Sequence, residues 1–461
     1  MVFFRTKDIA LILQKTNKME LKKTLGAMDL VLLGIGCIIG TGIFVLTGVA
    51  AAKYAGPGIV LSFVLSGLAC CFAGLAYAEL AAMVPVAGSA YTFAYVSLGE
   101  LVAFIVGWAL VCEYVVGAAT VAVGWSGYVV GLLKSVGIVF PVAWTSVPAD
   151  GGVLNGPAIL IVVCITCLLV LGTRESATLN KVLVVIKVAC VAIFLFLATS
   201  HVNPANWSPF LPFGLGGIAS GAAIVFFSYV GFDAVSTAAE ECKNPNRDLP
   251  IGIIGSLVVC TILYIAVAAV LTGIVPYSSL NNSEPVAFAL RAIGMNFGSA
   301  VVAIGAICGI TTVLLVFMYA QTRVFLAMAR DGMLPKKFVK IHPKYGTPHI
   351  ITVITGIVVC ILSGLLPINI IAQLCNMGTL FAFCMVSLGV LVLRKTQPEV
   401  VRPFKCPAVG LVATLGVLFC GYLITNLPVD TFIFFGVWCV VGLAVYFGYS
   451  RHHSEFVARK K

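Results

Sequence analysis

Residues 34–50, GIGCIIGTGIFVLTGVA, are apolar enough to cross a bilayer as one helix. Yet Gly34, Gly36, Gly40, Gly42 and Gly48 punctuate the run, and Thr41 stands between two glycines. A helix in hydrocarbon must satisfy every backbone amide within itself. A break is tolerated only where the freed groups line a cavity or are buried in protein. The run reads as a helix unwound at Gly40-Thr41-Gly42, with N–H and C=O groups free to hold a charged solute.

The rest of the chain supplies the surroundings such a break needs. It is 61% hydrophobic and 10% charged, with long apolar runs in place of the alternating polar faces of a soluble core. A crossing takes ~20 apolar residues for about 30 Å of hydrocarbon. On that rule about twelve spans are expected, near residues 29–53, 57–83, 101–133, 156–172, 179–199, 216–239, 251–275, 297–322, 349–366, 368–393, 409–426 and 431–449. The third is long enough to tilt or to carry a flanking helix. Segments 84–100 and 284–294 are too polar to span and read as interfacial or re-entrant helices. No signal peptide is expected, because the first apolar stretch is short and no small-residue cleavage site follows it. The class is an all-α polytopic membrane protein.

Basic residues orient it. With the N-terminus in the cytoplasm, 24 of the 28 Lys and Arg fall on the inner side, from Arg5 and Lys7 to Lys461. Lys53, Lys134 and Arg291 fall outside, and Lys187 falls within a span. The positive-inside rule therefore places both termini in the cytoplasm. The net charge of +11 is a topology signal and does not point to nucleic acid. All 16 cysteines lie in spans or on the inner side, so no extracellular disulfide is implied. Cys164 and Cys167 form a CxxC at lipid depth with no His or acidic ligand nearby, which reads as packing. The five histidines lie in loops, span ends or the tail, so a buried proton carrier must be Asp, Glu or Lys. No metal-ligand spacing in an accessible loop and no nucleophile–base–orienter constellation appears, against an enzyme. No ring of charges appears, against a channel.

Four ionisable residues sit where charge is costly, about 2.5–3.5 kcal/mol at a helix centre. Glu113, Lys187 and Asp233 lie well inside the third, fifth and sixth spans, and Glu79 lies late in the second. Glu79 reads equally as a partly solvated helix end or as a functional group. Glu113 and Asp233 read as functional or gating groups, against interhelical hydrogen bonding. Lys187 lies too deep to snorkel and is the expected coupling residue.

A second span also breaks, around Ser228-Tyr229-Val230-Gly231-Phe232, just before Asp233. Breaks in the first and sixth spans match two inverted repeats of five helices, with discontinuous helices at corresponding positions. The division is a basic segment 1–28, repeats at 29–200 and 216–394, two further helices at 409–450 and a basic tail 451–461. Lys15, Lys18, Lys22 and Lys23 read as a positive-inside flank or as a basic amphipathic helix on anionic lipid.

The run GIGCIIGTGIFVLTG, Lys187, the segment SYVGFDAVSTAAEECKNPNRDLP and the loop TRVFLAMARDGMLP resemble the amino acid–polyamine–organocation superfamily of permeases. The resemblance covers roughly residues 24–450 and is nearest to short bacterial members of its cationic amino acid transporter branch. It implies a LeuT-type 5+5 bundle plus two C-terminal helices in the cell membrane, working by alternating access without a cofactor. It implies that amides near Gly40, Thr41 and Gly42 hold a substrate carboxylate, aided by the half-helix dipole. Carbonyls near Ile38, Ile39, Phe227 and Val230 would receive the α-ammonium, with Phe227 as an aromatic lid. Backbone donors and acceptors together suit any zwitterion of that size.

The resemblance also implies proton coupling through Lys187, whose ammonium would stand where sodium-driven relatives hold a cation. A proton carrier and a fixed, propping ammonium remain alternatives. One charge across ~100 mV is worth about 2.3 kcal/mol, enough for roughly 50-fold accumulation. Glu113, Asp233 and Met318 are candidates for the side-chain pocket: a carboxylate suits a cationic amino acid, whereas Met318 favours small or medium neutral ones. The expected partners are an L-amino acid, a proton and membrane lipid. Proton-driven uptake, exchange and sensing stay open, as do a small accessory subunit and a homo-oligomer.

Overall fold

The computed structural model describes residues 6, 7, 9, 24–85, 89–172, 177–237 and 242–454. Lys15, Lys18, Lys22 and Lys23, Glu240 and Glu241 of the EEC motif, and the tail from residue 455 lie outside the described residues. In chain order the helices are α1 (Ala27–Ile38), α2 (residues 42–55, with two π-helical turns), α3 (Ile59–Met83), α4 (Ser89–Ser97) and α5 (Glu100–Ser135). Then follow α6 (Gly156–Leu171), α7 (Ala177–Ala198), α8 (Gly214–Val225), α9 (Pro245–Ile274), α10 (Pro285–Ala292) and α11 (Asn296–Arg330). The last four are α12 (His349–Leu365), α13 (Ile368–Thr396), α14 (Val409–Thr425) and α15 (Val429–Val445).

Among the described residues, eight helical stretches are long and apolar enough to cross a membrane, and four apolar helices are shorter. The protein is an all-helical, multi-pass membrane protein. At 1.5 Å per residue the 36 residues of α5 run about 54 Å, well beyond the hydrocarbon thickness, as its long apolar run requires. Helix α4 does not lie on a surface. Its described side chains are almost all buried, packed against α5 and α13.

Helix α5 packs on α11 and on α13, while α9 packs on α1 and α3. Small residues let these backbones approach, as bundles in lipid require. A Cβ on Gly117 of α5 would strike the Phe317 ring of α11, and one on Gly252 of α9 would come 2.6 Å from Leu30 of α1. Outside this core α15 turns Ile433, Val437 and Val441 outward. It is tied to α5 by a reciprocal clasp: Trp108 and Trp438 stack at 4.6 Å, and each indole N–H donates to the other's carbonyl at 2.8 Å.

Both described chain ends meet on one face, called here the terminal face. Lys7 Nζ lies 2.6 Å from Asp331 Oδ1, and Ser450 Oγ donates to the Met333 carbonyl. On the same face Glu79 is 1% exposed. Arg394 donates to both its oxygens at 2.9 and 2.8 Å, and the Cys406 amide donates to Oε2 at 2.7 Å. Arg402 Nε adds a contact at 3.4 Å to Oε1, while its other nitrogens donate to the carbonyls of Leu393, Gln397, Pro398 and Val400. Glu79 is thus a buried anchor between α3, α13 and the segment before α14. Glu79→Ala leaves two guanidiniums facing an apolar gap and is expected to cost about 3–5 kcal/mol. Thermal unfolding in detergent checks this, and an unchanged midpoint would refute the anchor.

Candidate functional site

Helix α1 ends where Ile39 turns extended, at φ −74° and ψ 106°, and by Thr41 the backbone is helical again. The break is therefore centred on Ile39-Gly40, one to two residues before the Gly40-Thr41-Gly42 expected from the sequence. The glycines explain the difference, because they are there for clearance. A Cβ at Gly40 would lie 2.9 Å from Val313 Cγ2, and one at Gly42 would overlap the backbone of Ser228. The first amides of the resumed helix, at Thr41, Gly42 and Ile43, have no carbonyl one turn behind them.

The second break runs through a 3₁₀ turn at Phe226–Tyr229, an extended Val230 and Gly231 at φ +115°, where the sequence places it. Gly231 takes the left-handed region that only glycine enters at little cost, and a Cβ there would stand 3.0 Å from the Cys37 carbonyl. The two breaks thus press together twice, Gly42 on Ser228 and Gly231 on Cys37.

Breaks free carbonyls as well as amides, and side chains from neighbouring helices take these up. Tyr264 of α9 reaches both breaks at once, its hydroxyl lying 3.0 Å from the Ile38 carbonyl and 2.8 Å from that of Ser228. Asn376 of α13 donates to the carbonyls of Ala223 and Ile224 at 2.7 and 3.1 Å, closing the end of α8. Lys187 of α7 donates to the Gly36 carbonyl at 2.5 Å, and its stem runs past Gly309 of α11, where a Cβ would lie 2.9 Å from Cγ. Its ammonium therefore sits between α1 and α11.

Two hydroxyls at the junction, Thr41 Oγ1 and Ser228 Oγ, are buried and have no hydrogen-bond partner among the described residues. Beside them Phe227, 4% exposed, stacks on Phe317 at 6.4 Å, which meets the Tyr114 ring edge-on at 5.9 Å. Met318 is buried next to Phe317 in α11.

Asp233 and Glu113 are placed differently. Asp233 Oδ2 accepts from Tyr114 at 2.8 Å and from Ser89 at 3.3 Å, and Ser89 in turn meets the Tyr77 hydroxyl. Asp233 thus ties α3, α4 and α5 together beyond the second break, toward the terminal face. Glu113 is buried against α13, where the Cys375 thiol donates to its carbonyl at 3.4 Å and its carboxylate accepts no hydrogen bond among the described residues.

A cleft of about 340 Å³ approaches from the face opposite the termini, lined by Val45, Val49, Lys53, Gly124, Asp150 and others. Gly124 joins it to the junction, because a Cβ there would overlap Thr41. Among the described residues no group of three His, Cys, Asp or Glu is placed to hold a metal ion.

Tyr264, Asn376 and Phe317 were not singled out by the sequence, and Ser228 was marked there only as part of the second break. The one available signal was a polar atom inside an otherwise apolar run, such as TILYIAVAAV or QLCNMGTLF. Tyr264→Phe strips a donor from two buried carbonyls and is expected to cost about 1–3 kcal/mol. Unfolding in detergent measures it, and a variant as stable as the parent would show that the bridge carries no weight.

Residues 25–447 match the profile of a protein family described as "Amino acid permease". The chain is 50% identical over 458 residues to a branched-chain amino acid permease of Bacillus subtilis (strain 168), covering 98% of each chain. It is 47% identical over 453 residues to a methylthioribose transporter of the same organism, again over 98% of each. It is 42% identical over 392 residues to a chloroplastic cationic amino acid transporter of Arabidopsis thaliana, covering 83% of this chain and 68% of the relative.

Proposed function

The chain belongs to the amino acid permease family, a transporter family and not an enzyme family, and from that premise we propose that it takes up L-amino acids in symport with protons by alternating access. The observation that carries this is the junction of the two breaks. There the amides that open the resumed helix after Ile39 lie with the hydroxyls of Thr41 and Ser228, which are buried and without a hydrogen-bond partner among the described residues, where a zwitterion would bridge them. In this reading the amides of Thr41 and Gly42 hold the carboxylate at the positive end of a half-helix. The carbonyls near Ile38, Ile39, Phe227 and Val230 receive the ammonium. Those of Ile38 and Phe227 already accept one bond each, from Tyr264 and from the Val230 amide, and keep a second lone pair.

The side-chain pocket is proposed to be lined by Phe227, Phe317, Met318 and Val313, which favours neutral aliphatic amino acids over cationic ones. Asp233 is engaged by Tyr114 and Ser89, which argues for a gate role beneath the site over contact with a cationic substrate. The branched-chain permease among the relatives is in keeping with this choice. Twelve crossings, two inverted five-helix repeats with the last two helices outside them, and cytoplasmic termini in the cell membrane complete the proposal. Lys187 is the proposed coupling residue, since its ammonium faces the last turn of α1, which must move if that half-helix swings.

Uptake of a radiolabelled amino acid panel into proteoliposomes with an alkaline lumen tests the function. Accumulation of leucine, isoleucine and valine that collapses with a protonophore and ignores sodium is expected. Uptake only into vesicles preloaded with amino acid would establish an exchanger instead. Lys187→Ala is expected to abolish gradient-driven accumulation while binding persists, and full proton-driven uptake in that variant would sink the coupling assignment. Gly42→Val, which drives a side chain into Ser228, is expected to lose substrate binding, so unchanged affinity would place the site elsewhere.

A further inference from the structure

A cavity of about 410 Å³ opens on the terminal face, between the end of α6, the last turns of α11 and the turn that leads into α12. It is separate from the junction of the breaks, for none of its lining comes from α1, α2 or α8. Arg323 and Arg330 line one wall. Seven residues apart, they lie two turns apart on one face of α11. Arg323 lies over the Tyr319 ring, 4.7 Å from its centroid, and donates to the Tyr319 hydroxyl, which holds the guanidinium in place. Tyr345 and Thr347 form the wall opposite, and Leu169 and Leu326 supply apolar lining.

The charge in this cavity is uncompensated. No Asp or Glu lines it, and neither arginine forms an ion pair among the described residues. Helices α6 and α12, whose ends flank the cavity, carry exposed aliphatic side chains, among them Leu168, Leu171, Ile354 and Ile357. Two guanidiniums in one cavity, that of Arg323 held on Tyr319, beside helices with outward-facing aliphatic side chains match a ligand that is anionic at one end and hydrocarbon at the other. A free phosphate would leave the aliphatic side chains unused.

We propose that this cavity binds an anionic phospholipid. Its headgroup phosphate pairs with Arg323 and Arg330, and its acyl chains lie along α6 and α12. Basic pockets between membrane helices are suited to such headgroups, and guanidinium forks match phosphate oxygens in geometry.

Native mass spectrometry of the full-length protein in detergent tests this. Phosphatidylglycerol is titrated against phosphatidylcholine of the same chains, with inorganic phosphate as competitor. The expected result is selective retention of phosphatidylglycerol that millimolar phosphate does not displace. The R323Q/R330Q double variant is expected to weaken it roughly 10- to 30-fold, while R323K/R330K keeps the preference. Equal retention by the double Gln variant, or equal binding of phosphatidylcholine, would overturn the proposal. Displacement by phosphate would make the cavity an inorganic anion site and overturn it also. Should the Gln variant fail to fold, the salt dependence of parent binding decides, because a headgroup ion pair must weaken as ionic strength rises.

Discussion

Backbone polar groups in hydrocarbon have no water to turn to, and that constraint governs where this chain can be irregular. Each break strands carbonyls and amides whose desolvation costs more than an ordinary hydrogen bond returns. The chain meets the demand on the carbonyl side with its own side chains: Tyr264 at both breaks, Asn376 at the end of α8, Lys187 at the last turn of α1. The buried hydroxyls of Thr41 and Ser228 have no hydrogen-bond partner among the described residues. The proposed site is the polar remainder left once the scaffold has satisfied itself.

Close approach is the second requirement. The broken segments touch at backbone distance because Gly42 and Gly231 carry no side chain where Ser228 and Cys37 stand. The stem of Lys187 passes α11 at Gly309 for the same reason. These glycines set which surfaces meet, while the aromatic stack of Phe227, Phe317 and Tyr114 fills the volume beside them. The Tyr114 hydroxyl then connects that stack to Asp233, so packing next to the site and hydrogen bonding beneath it share one residue.

Much of this was legible in the chain itself. Apolar run length marked the helices, eight of whose described stretches are long and apolar enough to cross a membrane, and Gly-rich or Gly–aromatic interruptions marked both broken helices, since a break in hydrocarbon needs residues that tolerate it. The cost of a buried charge singled out Lys187, Asp233 and Glu113. The exact residue of the first break was not legible, because glycine serves conformation and clearance alike and its spelling is the same for both. Tyr264 and Asn376 escaped for a different reason. A hydroxyl or carboxamide costs far less to insert than a charge, so its presence in an apolar run demands no explanation until a carbonyl is seen opposite. Glu79 was ambiguous from position alone, and only its arginine partners, more than 300 residues away in sequence, distinguish an anchor from a solvated end.

Tyr264 has one further consequence. Its hydroxyl carries a single proton but faces two carbonyls, so neither acceptor holds it outright. If the two broken segments slide apart, the proton stays with whichever carbonyl remains near, and the other must find a new donor. Any relative movement of the segments therefore acts on this one hydroxyl, where the backbone is already unwound.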